Sequence, residues 1–426
     1  MIYASTFLSH SSVDKPLVEA VARELGRRGI IAWLDRSELN LGANLSEVLK
    51  AAIERQVTTT VFLSEAAIQS PWVTEELAVA IDTHQAMQTS GNILPIFLGD
   101  PVALVKLHPL LRSWWLHADG QRVNILGVQA DANQPILELA KTLADGIARR
   151  VYQALGVAAK REIILYVDQR GEGRRRGELQ GVPDSVRQRT APALVFRPEL
   201  QMRRQSETLH GDAWTAFRGD LTASLAEAIE NLRGPEPKSI YVLGNAQVGI
   251  AYMLGHYFNR STSTHLFCYN RDGYVFNNQA QPRHMPLQGG NPNCEATHDR
   301  ITPLPPGAQV EAVALILTAA NYVDPALDYL AAQDNPPPPV WVEHGSFQEN
   351  AQVMQYVTDI VALLTRLRAA HRLHRVYLFC GLPFHVIPLL AANLLNVVDD
   401  VVFMEYRRDL QGQGVSAGEM YVPLDM

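Results

Sequence analysis

Cysteine is scarce: Cys268, Cys294 and Cys380 are the only three in 426 residues, far apart and with no CxxC pair. This excludes a disulfide framework and a zinc ribbon. His284, Cys294 and His298 match no standard ligand spacing and lack a fourth partner, so no metal is expected. Long apolar runs are missing as well, none reaching the ~18 residues of a membrane span. The chain enters a strand-like run almost at once, with no basic leader, and the expectation is a cytoplasmic protein with no membrane partner. Positive charge is not in excess: the net charge is -7, which argues against polymeric nucleic acid as the main partner. With 47% hydrophobic and 19% charged residues the composition is that of an ordinary globular protein, long enough for two or three domains.

Within this acidic chain lies a basic island. Arg161, Arg170, Arg174, Arg175, Arg176, Arg187, Arg189, Arg197, Arg203 and Arg204 have few acids among them. They are either guanidinium partners for phosphate or a solvated loop.

Short apolar runs at Ala4 to Leu8, Gly29 to Leu34, Val57 to Leu63 and Ile93 to Leu98 read as strands buried on both faces. Helical periodicity marks Lys15 to Arg28, Ala43 to Arg55, Trp72 to Met87 and Pro135 to Leu155. Such alternation implies a parallel, doubly wound α/β sheet. At the start of the third helix, Ser70 can cap and Pro71 takes the first helical position. Trp72 and Glu76, four apart, then lie within roughly 40° of each other around the helix, and Glu75 projects about 60° to the other side. Glu76 is therefore the candidate functional carboxylate, placed where open α/β sheets bind ligands, beyond the C-terminal strand ends.

Phe7-Leu8-Ser9-His10 with Asp14, Gly29 to Asp35, Leu41-Gly42, and Ser64 with Trp72-Val73-Thr74-Glu75-Glu76 follow one another with the spacing of a TIR domain, which residues 1–155 resemble. The resemblance implies a flavodoxin-like core with a mobile loop at Ser37 to Ala43. It also implies a choice between a protein-interaction adaptor and an enzyme that cleaves the nicotinamide-ribose bond of NAD. In the enzymes the essential glutamate stands four residues after a tryptophan, here Glu76 after Trp72. Ser9, His10, Asp35, Gly42 and Ser64 are the further candidates for contact with NAD, and Ser11-Ser12 departs from the family pattern.

Residues 160–426 repeat themselves. Lys238 to Asn245 corresponds to His374 to Gly381, and Tyr269-Asn270-Arg271-Asp272 to Tyr406-Arg407-Arg408-Asp409, at an offset of 136 to 137. Ile163 to Val167 pairs with Val313 to Leu317, and the helix Ala213 to Leu232 with Asn350 to Arg372. Two copies of one strand-helix unit, about 160–285 and 305–426, meet in the Pro-, Gly- and Asn-rich stretch Gln281 to Gly307.

A TIR domain followed by such a pseudo-twofold pair of Rossmann-like, CARF-like units resembles the TIR-SAVED effectors of bacterial CBASS antiphage immunity. The resemblance implies activation by a cyclic oligonucleotide, cyclic tri-adenylate being favoured. It implies self-association through both domains, as a filament or a closed dimer, and NAD as substrate. Turn amides at Gly244-Asn245 and Cys380-Gly381-Leu382, with Phe384, Arg271, Arg407, Arg408 and Arg174, are the candidates for ligand contact. Tyr269 and Tyr406 offer further stacking faces. A non-catalytic signalling scaffold and a nucleoside N-glycosidase are the alternatives.

Overall fold

The structure is a computed structural model that describes residues 2–34, 45–89, 92–123, 127–130, 134–156, 162–168, 174–175, 178–179, 182–189, 191–196, 208–231, 238–259, 264–269, 275–277, 289–394, 397–407, 410 and 415–424. In chain order it begins β1 (Ile2–Tyr3), β2 (Ser5–Ser9), α1 (Lys15–Arg27), β3 (Ile31–Leu34), α2 (Leu45–Glu54), β4 (Thr58–Leu63), α3 (Glu65–Ile68), α4 (Pro71–Ala86) and β5 (Ile93–Phe97). Then come α5 (Pro101–Leu107), α6 (Pro109–Trp115), β6 (Val128–Gln129) and α7 (Ile136–Gly156). The remainder runs β7 (Glu162–Asp168), β8 (Arg174–Arg175), β9 (Glu178–Leu179), α8 (Asp184–Arg187), β10 (Pro192–Phe196), α9 (Gly211–Asn231), β11 (Lys238–Asn245), α10 (Val248–Tyr257), β12 (Thr264–Tyr269) and β13 (Val275–Asn277). It closes with β14 (Ala312–Thr318), α11 (Asp324–Ala331), β15 (Pro339–Glu343), α12 (Asn350–His371), β16 (Arg375–Cys380), α13 (Ile387–Leu394), β17 (Asp400–Tyr406) and β18 (Tyr421–Leu424). Two compact units result: residues 1–160 with 190–200 and 223–234, and residues 161–189 with 201–222 and 235–426.

In the first unit a parallel sheet runs β3-β2-β4-β5-β6, and β1 pairs with β10. Strands and helices fall within one or two residues of the periodicity reading. The run Val57 to Leu63, read as buried on both faces, holds three threonines, and the hydroxyls of Thr59 and Thr60 find buried partners. Thr60 hydrogen-bonds to Thr6 at 2.9 Å and Thr59 to His84 Nε2 at 3.0 Å. On one side of the sheet Val61, Leu63, Phe97, Val73, Leu77 and Ile81 form a core with α5 and α6. A separate cluster joins Phe7, Leu49, Ile53 and Ala80, with Trp33 stacked on Phe7 at 5.0 Å. Gly29 ends the turn after α1 at φ +74, and a Cβ there would stand 2.9 Å from the Phe196 ring, so the position requires glycine.

The second unit carries the doubled topology. Parallel strands run β7-β11-β12 with antiparallel β13 at the edge, and the second copy runs β14-β16-β17 with antiparallel β18, β15 adding on the far side of β14. Gly244 opposes Val167 and Cys380 opposes Leu317, so the second strands keep the expected offset of 136. The third strands do not. Val242 opposes Cys268 whereas Leu378 opposes Phe403, which sets β17 two residues along from the place the sequence offset gives it. A two-residue slide preserves the face each side chain points to, because strands alternate with period two, and the sequence pattern therefore could not reveal it.

The two halves are joined by α10 and α13. Gly255 lies so near α13 that a Cβ would be 2.2 Å from the Pro388 carbonyl oxygen, and Tyr252 packs on Phe403 at 5.1 Å. Among the described residues no helix is long and apolar enough to cross a membrane.

Candidate active site

The C-terminal edge of β2 and β4 in the first unit gathers polar side chains that chain order keeps apart. α4 starts as the sequence requires, with Ser70 Oγ accepting from Val73 N at 3.4 Å and Pro71 at the first position. Along α4, Val73, Leu77 and Ile81 enter the core while Glu76 and Ala80 form the neighbouring buried stripe. Glu76 is 1% exposed, whereas Glu75 is on the surface. Trp72 is half-buried one turn before Glu76.

Ser9, the last residue of β2, donates its hydroxyl to Glu76 Oε2 at 2.5 Å, and it too is 1% exposed. Two residues on, Ser11 donates to Asp14 Oδ2 at 2.5 Å, and Ser64 at the end of β4 donates to the same oxygen at 2.7 Å. Ser64 also caps α3, accepting from Ala67 N at 3.0 Å. The structure thus brings Ser9 and Ser64 to the expected edge but engages their hydroxyls within the protein. His10 stays half-buried, its Nδ1 donating to the Leu8 carbonyl at 3.1 Å. Asp35, Gly42 and the Ser37 to Ala43 loop lie outside the described residues.

Sequence reasoning missed Asp14 as the hub between the loops after β2 and β4. Its signal was the placement of Ser11 and Asp14 just beyond a strand end, where short polar side chains hydrogen-bond one another. It also missed His108, whose Nε2 lies 3.0 Å from Thr74 Oγ1 on the first turn of α4 and whose burial lowers its pKa. Farther along α4, burial lowers His84 to about 4 between Thr59 and Thr89, a neutral imidazole that belongs to the core.

In the second unit several expected ligand contacts have internal partners. The Gly381 amide donates to the Leu317 carbonyl at 2.8 Å and so continues the sheet. Leu382 itself is buried, and burial pushes the Cys380 thiol up to about 12. α13 begins only at Ile387, beyond the turn that holds half-buried Phe384, so these amides are not at its N-terminus. Gly244 is a close-approach position, where a Cβ would meet the Val167 carbonyl at 2.5 Å.

The N-terminus of α10, expected to receive phosphate, holds a carboxylate of the protein: Gly249 N donates to Glu405 Oε2 at 2.7 Å, and Glu405 is buried on β17. Tyr269 is buried 6.1 Å from Tyr241 and is a core residue, while Tyr406 packs edge-on against Tyr421 at 5.2 Å. Arg407 stays half-buried at the end of β17, its amide bonded to the Met420 carbonyl at 2.9 Å.

Of the basic island, Arg189 pairs with Glu162 at 2.6 Å over the Tyr241 ring, and Arg187 Nε donates to the Val182 carbonyl at 2.9 Å. Both therefore serve the fold. Arg174 and Asn245 are described in their backbone alone, and Arg271 and Arg408 lie outside the described residues. Among the described residues no group of three or more His, Cys, Asp or Glu side chains could hold a metal ion.

The first unit is thus a flavodoxin-like α/β domain with a buried carboxylate under the C-terminal edge of its sheet. Residues 6–125 match the TIR domain family and form a TIR domain. Over the whole chain, the Acinetobacter baumannii Cap4 SAVED/CARF-domain containing receptor with the cyclic trinucleotide 3'3'3'-cAAA aligns at a TM-score of 0.40 and 12% identity, covering 92% of this chain and 86% of that one. The same receptor with 2'3'3'-cAAA aligns at 0.39 and 10% identity, with the same coverages. None of the curated proteins matches the sequence.

Proposed function

We propose that the protein is an NAD glycohydrolase switched on by a cyclic oligonucleotide. The observation that carries the enzymatic reading is Glu76, an oriented carboxylate at the strand edge of a TIR domain, held by Ser9 and preceded by Trp72 at the spacing of the NAD-cleaving members. The bond between ribose C1′ and the nicotinamide nitrogen breaks with its electron pair leaving on that nitrogen, so neutral nicotinamide departs. Positive charge then builds on the ribose, and a fixed anion lowers the energy of that state. Water adds to C1′ and releases one proton, giving ADP-ribose. Trp72 supplies an aromatic wall beside the reacting sugar.

The doubled second unit supports the sensor reading, since paired Rossmann-like halves present equivalent strand ends to one ligand. With the Gly381 amide and the α10 N-terminus engaged internally, the ligand contacts fall to side chains around them, Phe384 and Arg407 among the described ones. Glu76 is covered in the isolated chain, which supports a rearrangement before turnover, brought about by ligand-driven self-association.

The test is nicotinamide release from NAD by the full-length protein, titrated with cyclic di-, tri- and tetranucleotides. Release is expected with one ligand class, cyclic tri-adenylate first. Glu76→Gln should lower kcat by about two to three orders of magnitude, the effect of removing one positioned transition-state stabiliser. Near-wild-type turnover in that variant overturns the assignment, and ligand-driven oligomers that leave NAD intact identify a scaffold.

A further inference from the structure

We propose that Ser9 is a positioning residue for Glu76 and not a substrate contact; this rests on the enzymatic reading of the TIR domain. Two ladders meet at this point. Phe7 and Ser9 share one face of β2, and Ala80 and Glu76 share one stripe of α4. Two strand residues advance about 6.7 Å and four helix residues about 6 Å, so the antiparallel helix and strand stay in step over this length. Phe7 packs in one cluster with Ala80, and one step further the Ser9 hydroxyl meets Glu76 Oε2 at 2.5 Å. The apolar contact sets the height of α4 on β2, and the polar contact uses that height to aim the carboxylate.

The chemistry at this position is narrow. Both side chains are 1% exposed, so no solvent competes for the bond, and a buried carboxylate requires donors. Serine places one O–H at short reach from a strand end, where a longer donor would push α4 away from the sheet. With Oε2 held, the plane of the carboxylate and the direction of its second oxygen are set. Ser9 is 1% exposed and its single proton is donated to Glu76, so it has no donor left to offer NAD.

Kinetics of the ligand-activated full-length protein test this. Ser9→Ala should lower kcat about 10- to 100-fold, the scale of a lost hydrogen bond to a charged group, and change KM less than about threefold. Ser9→Thr, which keeps the hydroxyl, should restore most of kcat. A rise in KM at unchanged kcat would overturn the proposal and return Ser9 to substrate binding.

A second measurement does not depend on turnover: the equilibrium unfolding of wild type, Ser9→Ala, Glu76→Ala and the double variant. The two substitutions should be non-additive by about tenfold or more in the unfolding constant. Additive effects would show that the hydroxyl does not hold the carboxylate, whether or not NAD is the substrate.

Discussion

Replacing Gly255 by alanine tests how the two halves of the second unit are joined. Glycine to alanine inside a helix ordinarily stabilises by about 0.4–1 kcal/mol, because the unfolded chain loses freedom. At Gly255 the added Cβ would stand 2.2 Å from the Pro388 oxygen, 2.6 Å from its Cα and 2.7 Å from its carbonyl carbon. All three are backbone atoms, so no side chain can swing aside. Relief requires α10 and α13 to separate by about 1 Å, and overpacking of this kind costs about 1–3 kcal/mol.

The net effect is a loss of about 1–2 kcal/mol, or a Tm lower by about 2–6 °C for a unit of this size. Gly219 on α9 is the internal control: it is exposed, and its Cβ would meet nothing within 4 Å, so Gly219→Ala should raise stability. Chemical denaturation of both variants decides the matter. If Gly255→Ala proves as stable as Gly219→Ala, the close approach of the two helices is refuted.

Three further outcomes follow from named contacts. His84 is neutral when folded, with a pKa of about 4 against 6.5 unfolded, so its contribution is present above pH 6.5 and is lost as pH falls toward 4. Stability measured at pH 7 and pH 5 should drop by about 2 kcal/mol less in His84→Gln than in wild type, and equal drops would contradict the burial argument. Glu405→Ala strands the Gly249 amide and should cost about 1–3 kcal/mol, with faster amide exchange along the first turn of α10; unchanged exchange there would show that the carboxylate is not its cap. Glu75→Gln should leave ligand-activated NAD cleavage within about twofold of wild type, because its side chain is on the surface and a solvent-screened charge adds little.

Much of the fold was legible because it rests on short-range rules. Apolar runs bounded by turns gave β2 to β5, caps and a leading proline gave α4, and the repeated strand-helix unit matched β14, β16 and β17 to β7, β11 and β12. Glu76 was distinguishable from Glu75 for the same reason, since a position on a helix face follows from counting residues. What was not legible is where a donor or acceptor finds its partner far along the chain. Ser64, a candidate for NAD contact, is engaged by α3 and Asp14; the Gly381 amide, a candidate anion site, continues the sheet; Arg189, in an island read as either phosphate partners or a solvated loop, is paired with Glu162.

By itself, then, the sequence determined which segments are strands and helices, that the second unit is doubled, and which carboxylate of α4 shares a helix face with Trp72, all consequences of periods of two and 3.6 residues. Only the tertiary structure decided that Ser9 holds Glu76 across 67 residues and that Glu405 caps α10 across 156. It alone also set β17 two residues along from its counterpart. The physical reason is common to all three. Each depends on the height at which one packed element rests on another, and that height comes from the close fit of buried side chains, to which local periodicity is blind.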